Sequence, residues 1–320
     1  SASVIVLVPI SAWAAYLSGL AAGAGVGSVE DGLALFIRSV PFNLYGILTV
    51  IMVGLIVFKV IPDFGPMRRA EERAAQTGKV LRDGAIPMMG KELTEIEASN
   101  SPRRSIYLNF ALPVFLIIGT NVYTFIVFDR ASVLEAFMLA CGVLGLTMWI
   151  QRIDTIQGLV QTALAGIKGV MGAVLILALA YCINTVSAEI QTAAYVVSLT
   201  ENTMSPALLP VLAFVISGFV AFSTGTSFGT YAIMIPIVIP MAIQFGGGEV
   251  GPLTVASFAA VAGGGVFGDH CSPLSDTTVL SSLGGACDHM DHVRTQLPYA
   301  LSVAGVVSVL YLALGFVMTR

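Results

Sequence analysis

GGGVFGDHCSPLSDTT, residues 263–278, is the stretch on which the fold turns. Glycines, a proline, hydroxyls and two aspartates break an otherwise apolar run. A second break, STGTSFGT at 223–230, separates Pro206 to Phe222 from Tyr231 to Phe245. Irregular backbone is tolerated at bilayer depth only where protein buries it or where it lines a watery cavity, because an unpaired peptide group in lipid is costly. Such interrupted helices place carbonyls, hydroxyls and helix ends near the midplane, where they can replace the hydration shell of a small cation.

The surrounding composition supplies the bilayer. The 320 residues are 56% hydrophobic and 11% charged, with a mean hydropathy of +0.89; soluble domains carry about 25% charged residues. Runs from Pro41 to Pro62, Ile106 to Phe128, around Val170 to Val186 and from Pro298 to Met318 approach or exceed the ~18 to 20 residues a helix needs to span. Strand-like alternation is missing, so a β-barrel is not expected. The segment from Ala2 to about Ala22, with Pro9 near its start, predicts a kinked or half-length helix. A clean helix is expected from Pro41, with Lys59 snorkelling at its end. The chain starts in apolar sequence without the pattern of a signal peptide, so Ser1 is expected to mark a truncation or processing point.

Residues 63–104 are the polar exception. They hold eight of the fifteen basic residues (Arg68, Arg69, Arg73, Lys79, Arg82, Lys91, Arg103, Arg104) and seven acids. The positive-inside rule makes this loop cytoplasmic, and a solvated, partly helical connector is expected. Net charge is −4, which excludes the basic surface that nucleic acid needs. Cys141, Cys182, Cys271 and Cys287 form no CxxC pair, so neither a disulfide framework nor a closed zinc site is suggested. Neither an HExxH pattern nor a Ser/His/Asp constellation appears, and an enzyme is not expected.

Na⁺ is a hard ion satisfied by oxygens. Ser223, Thr224, Thr226, Ser227, Ser272, Ser275, Thr277 and Thr278 offer hydroxyls, and Asp269 and Asp276 offer charge as Na⁺ ligands. Asn184 could add an amide oxygen. Gly225, Gly229, Gly265 and Gly268 would permit close backbone approach, and Pro273 removes a donor. A single Ser or Thr in a helix ordinarily bonds back to its own turn; five hydroxyls in the eight residues 223–230 exceed what packing needs. The competing reading of Asp276 is helix capping. A carboxylate in low dielectric can hold a proton or Na⁺ but not both, which is the simplest way to couple the two. His289, Asp291 and His292 read as a solvated turn before the last span rather than a metal site, with a pH-sensing role open to His270 or to that turn.

With these residues in place, FSTGTSFGTYAIMIPIVIP at 222–240, FGDHCSPLSDTTVLSS at 267–282 and CDHMDHVRTQLPYAL at 287–301 resemble the NhaC-type sodium/proton antiporter family, within a wider ion-transporter superfamily. SVIVLVPISAW at 3–13 looks like the end of a related loop in that family's first repeat. The resemblance implies an all-α polytopic membrane protein, an inverted-repeat secondary transporter with broken or re-entrant helices. On that basis 1–62 is the tail of the first repeat, 63–104 the cytoplasmic loop and 105–320 the second repeat carrying transport. It also implies Na⁺ and H⁺ as exchanged ions by alternating access, an inner-membrane location, no cofactor, and a homodimer as a common state of such folds. The family's signature hydroxyls fall on Ser223, Thr224, Thr226 and Ser227, and its acidic pair on Asp269 and Asp276. The alternative the resemblance leaves open is coupled antiport of organic anions, of the malate/lactate type, or of amino acids.

Overall fold

The structure, a computed structural model, describes residues 2–9, 11–89, 103–128, 132–191 and 205–319. The protein is all-α: no β-strand occurs among the described residues, only an isolated bridge between Pro87 and Asp288. Two compact units form, one from residues 1–89 with 172–320 and one from 90–171.

The first unit opens with α1 (Ala2–Ile5), α2 (Ala12–Ala21), α3 (Val29–Ser39), α4 (Leu44–Val57) and α5 (Gly65–Thr77). The expected break near Pro9 is present, and Ser11 caps α2 by accepting from the Ala14 N–H at 3.1 Å. A glycine-containing π-turn, Ala22–Val26, then bends the chain by 110° into α3, whose start is closed by a Ser28/Asp31 capping box. Pro41 does not open α4 as the sequence suggests. It sits in a 3₁₀ turn, and Asn43, whose Oδ1 accepts from Gly46 N at 3.1 Å, is the cap.

In the second unit a π-turn, Tyr107–Ala111, leads into α6 (Leu112–Phe128), followed by α7 (Val133–Ile150). Asn109 Oδ1 accepts from Gln151 Nε2 at 2.7 Å and ties their ends together. Large apolar side chains such as Phe115, Met138 and Ile150 face outward, as lipid requires. The run expected near Val170 lies inside one 34-residue helix, α8 (Ile156–Glu189).

The remaining helices belong to the first unit: α9 (Leu209–Thr224), α10 (Ser227–Phe245), α11 (Pro252–Cys271), α12 (Asp276–Gly284) and α13 (His289–Met318). Their relative directions follow from who touches whom. Phe214 O lies against Gly264, Gly218 O against Gly268, and Phe222 O accepts from Ser272 Oγ at 2.7 Å, so α9 and α11 run parallel. Ser227 meets Asp269 while Tyr231 meets Gly265 and donates to Ala262 O at 2.8 Å, so α10 runs antiparallel to α11. Residues 209–245 are therefore a hairpin with its tip at Gly225, not one long interrupted helix. Gly225 is left-handed, with φ 72°. Small residues allow this packing, and α11 is buried from Leu253 to Gly265 without interruption.

The polar stretch is less free than its composition suggests. Phe64 packs against Tyr299 with ring centroids 4.2 Å apart and planes tilted by 39°, and Tyr299 Oη donates to Asp63 Oδ1 at 2.9 Å. Farther on, Met88 N donates to Cys287 O at 3.0 Å, Ile86 N to Asp288 Oδ2 at 2.8 Å, and Arg82 pairs with Asp291 at 3.1 Å. Residues 82–88 thus lie along the turn between α12 and α13. Burial alone would push the Asp288 carboxyl up, but N–H groups of Ile86, Asp291 and Met290 and the Arg82 charge hold it below the usual carboxylate range.

Three described helices contain stretches long and apolar enough to cross a membrane, 107–124, 227–245 and 289–318, and a fourth span results if the bent pair 13–42 counts as one. An all-α polytopic membrane protein follows from this set.

Candidate functional site

The two sequence breaks meet. A Cβ built on Gly225 would fall 2.7 Å from Leu274 O, so the tip of the α9/α10 hairpin rests directly on the turn between α11 and α12. Ser272, wholly buried, is a strut: its hydroxyl donates to Phe222 O and accepts from Leu274 N at 3.2 Å.

Asp269 lies at the centre of this junction with 1% of its surface exposed. Ser227 Oγ donates to one carboxylate oxygen at 3.1 Å, and Ser275 Oγ makes a short bond to the other. Thr277 Oγ1 is 2.9 Å from Ser275 Oγ. Thr278 Oγ1 donates to His270 O at 3.0 Å, fixing the last turn of α11. The described ion pairs, Arg68 with Glu72, Lys79 with Asp83 and Arg82 with Asp291, all involve the polar stretch and none reaches Asp269. A buried carboxylate that, among the described residues, is met by hydroxyls and by no cationic side chain suits a proton or a bound cation. The first turns of α10 and α12 bring positive helix ends to it, while the last turns of α9 and α11 bring carbonyls that can face a cation.

The other sequence candidates divide. Ser227, Ser275 and Thr277 join Asp269. Ser223 and Thr224 turn their hydroxyls onto their own helix, to Phe219 O and Val220 O, each at 2.8 Å. Thr226 is the N-cap of α10, accepting from Gly229 N at 3.4 Å. Asp276 is half-buried in the first turn of α12, where a carboxylate suits the helix end, and stands within electrostatic reach of Asp269. The side chain of Asn184 lies outside the described residues.

Two features were not apparent in the sequence. His270 bonds Tyr45 Oη from Nε2 and Gln296 Nε2 from Nδ1, so α4, α11 and α13 converge on one imidazole. His289, expected in a solvated turn, is buried instead; it bonds Pro273 O at 2.8 Å and Ser282 Oγ at 3.0 Å and holds the α11/α12 turn in place. Its partners are distant in sequence, so only the hydrophilic run was visible.

The segment before α2 shares a short sequence pattern with the one before α12. Pro9-Ile10-Ser11 parallels Pro273-Leu274-Ser275, both serines cap a helix, and each bonds a residue six positions back. For Ser275 that residue is Asp269 through its carboxylate; for Ser11 it is Ile5 through its backbone carbonyl, at 3.2 Å. Only the bond made by Ser275 reaches a charged group.

Among relatives, a Haemophilus influenzae protein described as uncharacterized is 32% identical over 99% of this chain and 62% of its own length. The chain therefore spans about three fifths of that curated relative. A malate-2H⁺/Na⁺-lactate antiporter of Bacillus subtilis is 32% identical over 35% of this chain and 23% of its own. The arginine/ornithine antiporter ArcD of Halobacterium salinarum is 33% identical over 45% and 29% respectively. No solved structure matches significantly. The profile of the Na⁺/H⁺ antiporter family, in contrast, matches residues 4–316, nearly end to end, and the chain belongs to that family.

Proposed function

We propose that the protein is a secondary antiporter that exchanges Na⁺ for H⁺ across the inner membrane by alternating access, with Asp269 as the carboxylate for which the two ions compete. The observation that carries this reading is the burial of Asp269 between two helix breaks with hydroxyl donors alone. Protonated, the carboxyl is neutral and compatible with its burial. Deprotonated, it needs a cation, and the hydroxyl oxygens of Ser227, Ser275 and Thr277, gathered at Asp269, are the further ligands this reading gives to such an ion. Loss of one ion is thereby the condition for gain of the other. On this reading 63–104 faces the cytoplasm and no enzymatic step is involved, in keeping with a family of transporters.

The test is dequenching of a pH-sensitive dye in proteoliposomes holding the full-length protein. Na⁺ alone should evoke a proton signal, whereas malate or lactate in Na⁺-free medium should not. A signal that requires the organic anion would reassign the main substrate. Within the same assay, Ser227→Ala should raise the half-saturating Na⁺ concentration about tenfold, as expected for losing a hydrogen bond to a charged group worth about 1.5 kcal/mol. An unchanged value would remove Ser227 from the site.

A further inference from the structure

A cavity of about 320 Å³ lies beside the Asp269 site, between α4, α12 and α13, and reaches it at Thr277. We propose that this cavity binds a small organic amine, an occupant separate from the ion at Asp269. Liquid water occupies about 30 Å³ per molecule, so the space would hold roughly ten waters. That is more than one desolvated cation needs and lies within the range of small-molecule sites. One side is apolar, formed by Met52, Val53, Ile56 and Val303, as suits a carbon chain rather than a bare ion.

The polar side offers acceptors. Asp63 carries the formal charge in the lining; Tyr299 engages its Oδ1 and leaves Oδ2 to accept. Gln296 uses Nε2 on His270, at Nδ1 and at the backbone oxygen 2.8 Å away, which leaves Oε1 as its acceptor. Thr295 donates its hydroxyl proton to the helix backbone, to Asp291 O at 2.8 Å. His292 Nε2 is buried without a hydrogen-bond partner among the described residues, and a buried polar atom of that kind calls for one. Among the described residues no Lys or Arg lines the cavity. Ammonium groups donate and do not accept, so they complement this wall; a carboxylate would meet no fixed positive charge.

The inference rests on the antiporter reading only in taking the protein to move solutes, and its test separates the two. Labelled putrescine and labelled malate are each titrated by equilibrium dialysis against the purified full-length protein, with the Na⁺-evoked proton signal measured on the same preparation. Putrescine should bind saturably at one per chain, and malate should not bind. Met52→Trp, which fills the apolar side, should abolish putrescine binding and leave the Na⁺ signal. Asp63→Asn should weaken binding about tenfold and covers the case in which the tryptophan variant fails to fold. Malate binding in place of putrescine, or no saturable binding by a preparation that retains its Na⁺ signal, overturns the proposal and leaves the cavity as a hydrated path for the ion. Putrescine binding without any Na⁺ signal would support the cavity site and count against the ion exchange instead.

Discussion

Asp269→Asn should abolish the Na⁺-evoked proton signal while the protein still folds. The amide has nearly the shape of the carboxylic acid: its oxygen accepts from one of Ser227 and Ser275, and its NH₂ donates to the hydroxyl oxygen of the other, so packing at the junction changes little. What disappears is the charge. At about 4 Å and an effective dielectric of about 20, a unit charge pair is worth about 4 kcal/mol, on the order of a thousandfold in cation affinity. Because the same atoms hold the proton, coupling is lost along with affinity. Asp276→Asn is the informative contrast. Asp276 is half-buried in a helix's first turn and makes no described hydrogen bond to the hydroxyl cluster, so its loss should alter apparent Na⁺ affinity by less than about tenfold. Equal, complete loss in both variants would mean that the two carboxylates act as one pair; retained activity in Asp269→Asn would end the proposed exchange mechanism.

The sequence displayed the two breaks because their causes are local. Glycine, proline and clustered hydroxyls stop a helix wherever they occur, and Asp269 stands out in any apolar run. What it could not display was the direction of the chain after each break. A hairpin and a single interrupted helix share one composition around Gly225; only the contacts of Tyr231 with Ala262 and Gly265 distinguish them. The same limit explains the hydroxyls. Ser223 and Thr224 look like Ser227 in sequence, but they lie within the last turn of α9, where a carbonyl four residues back is in reach, whereas Ser227 begins a helix and its own turn offers no such acceptor. Tyr45 comes from α4, and Gln296 and His289 from α13, both remote in sequence from Asp269, and they converge on the site only after packing. Hydrophilicity alone assigned His289 to water.

Within the parallel contact of α9 with α11, Gly268 is the glycine least able to change. A Cβ there would lie 2.6 Å from Phe222 N and 2.7 Å from the Ala221 side chain, and closer still to Gly218 O. Two of those three are backbone atoms of a facing helix, which no rotamer change can withdraw. Relief requires α9 and α11 to separate, and Asp269 is the next residue, so separation also moves its carboxylate away from Ser227 on the hairpin. Gly268→Ala should therefore cost about 3 kcal/mol or more, at the upper end of overpacking penalties, and remove transport as well. Gly305→Ala is the control on another helix. A Cβ there meets nothing within 4 Å, and glycine within a helix costs about 0.5 to 1 kcal/mol relative to alanine, so that variant should be as stable as the parent or slightly more so. Melting temperatures of the two purified variants, with proton signals in proteoliposomes, give the comparison. If Gly268→Ala melts with the parent and still exchanges ions, the helices do not pack at backbone distance, and the alignment of Ser227 with Asp269 that depends on that packing fails with it.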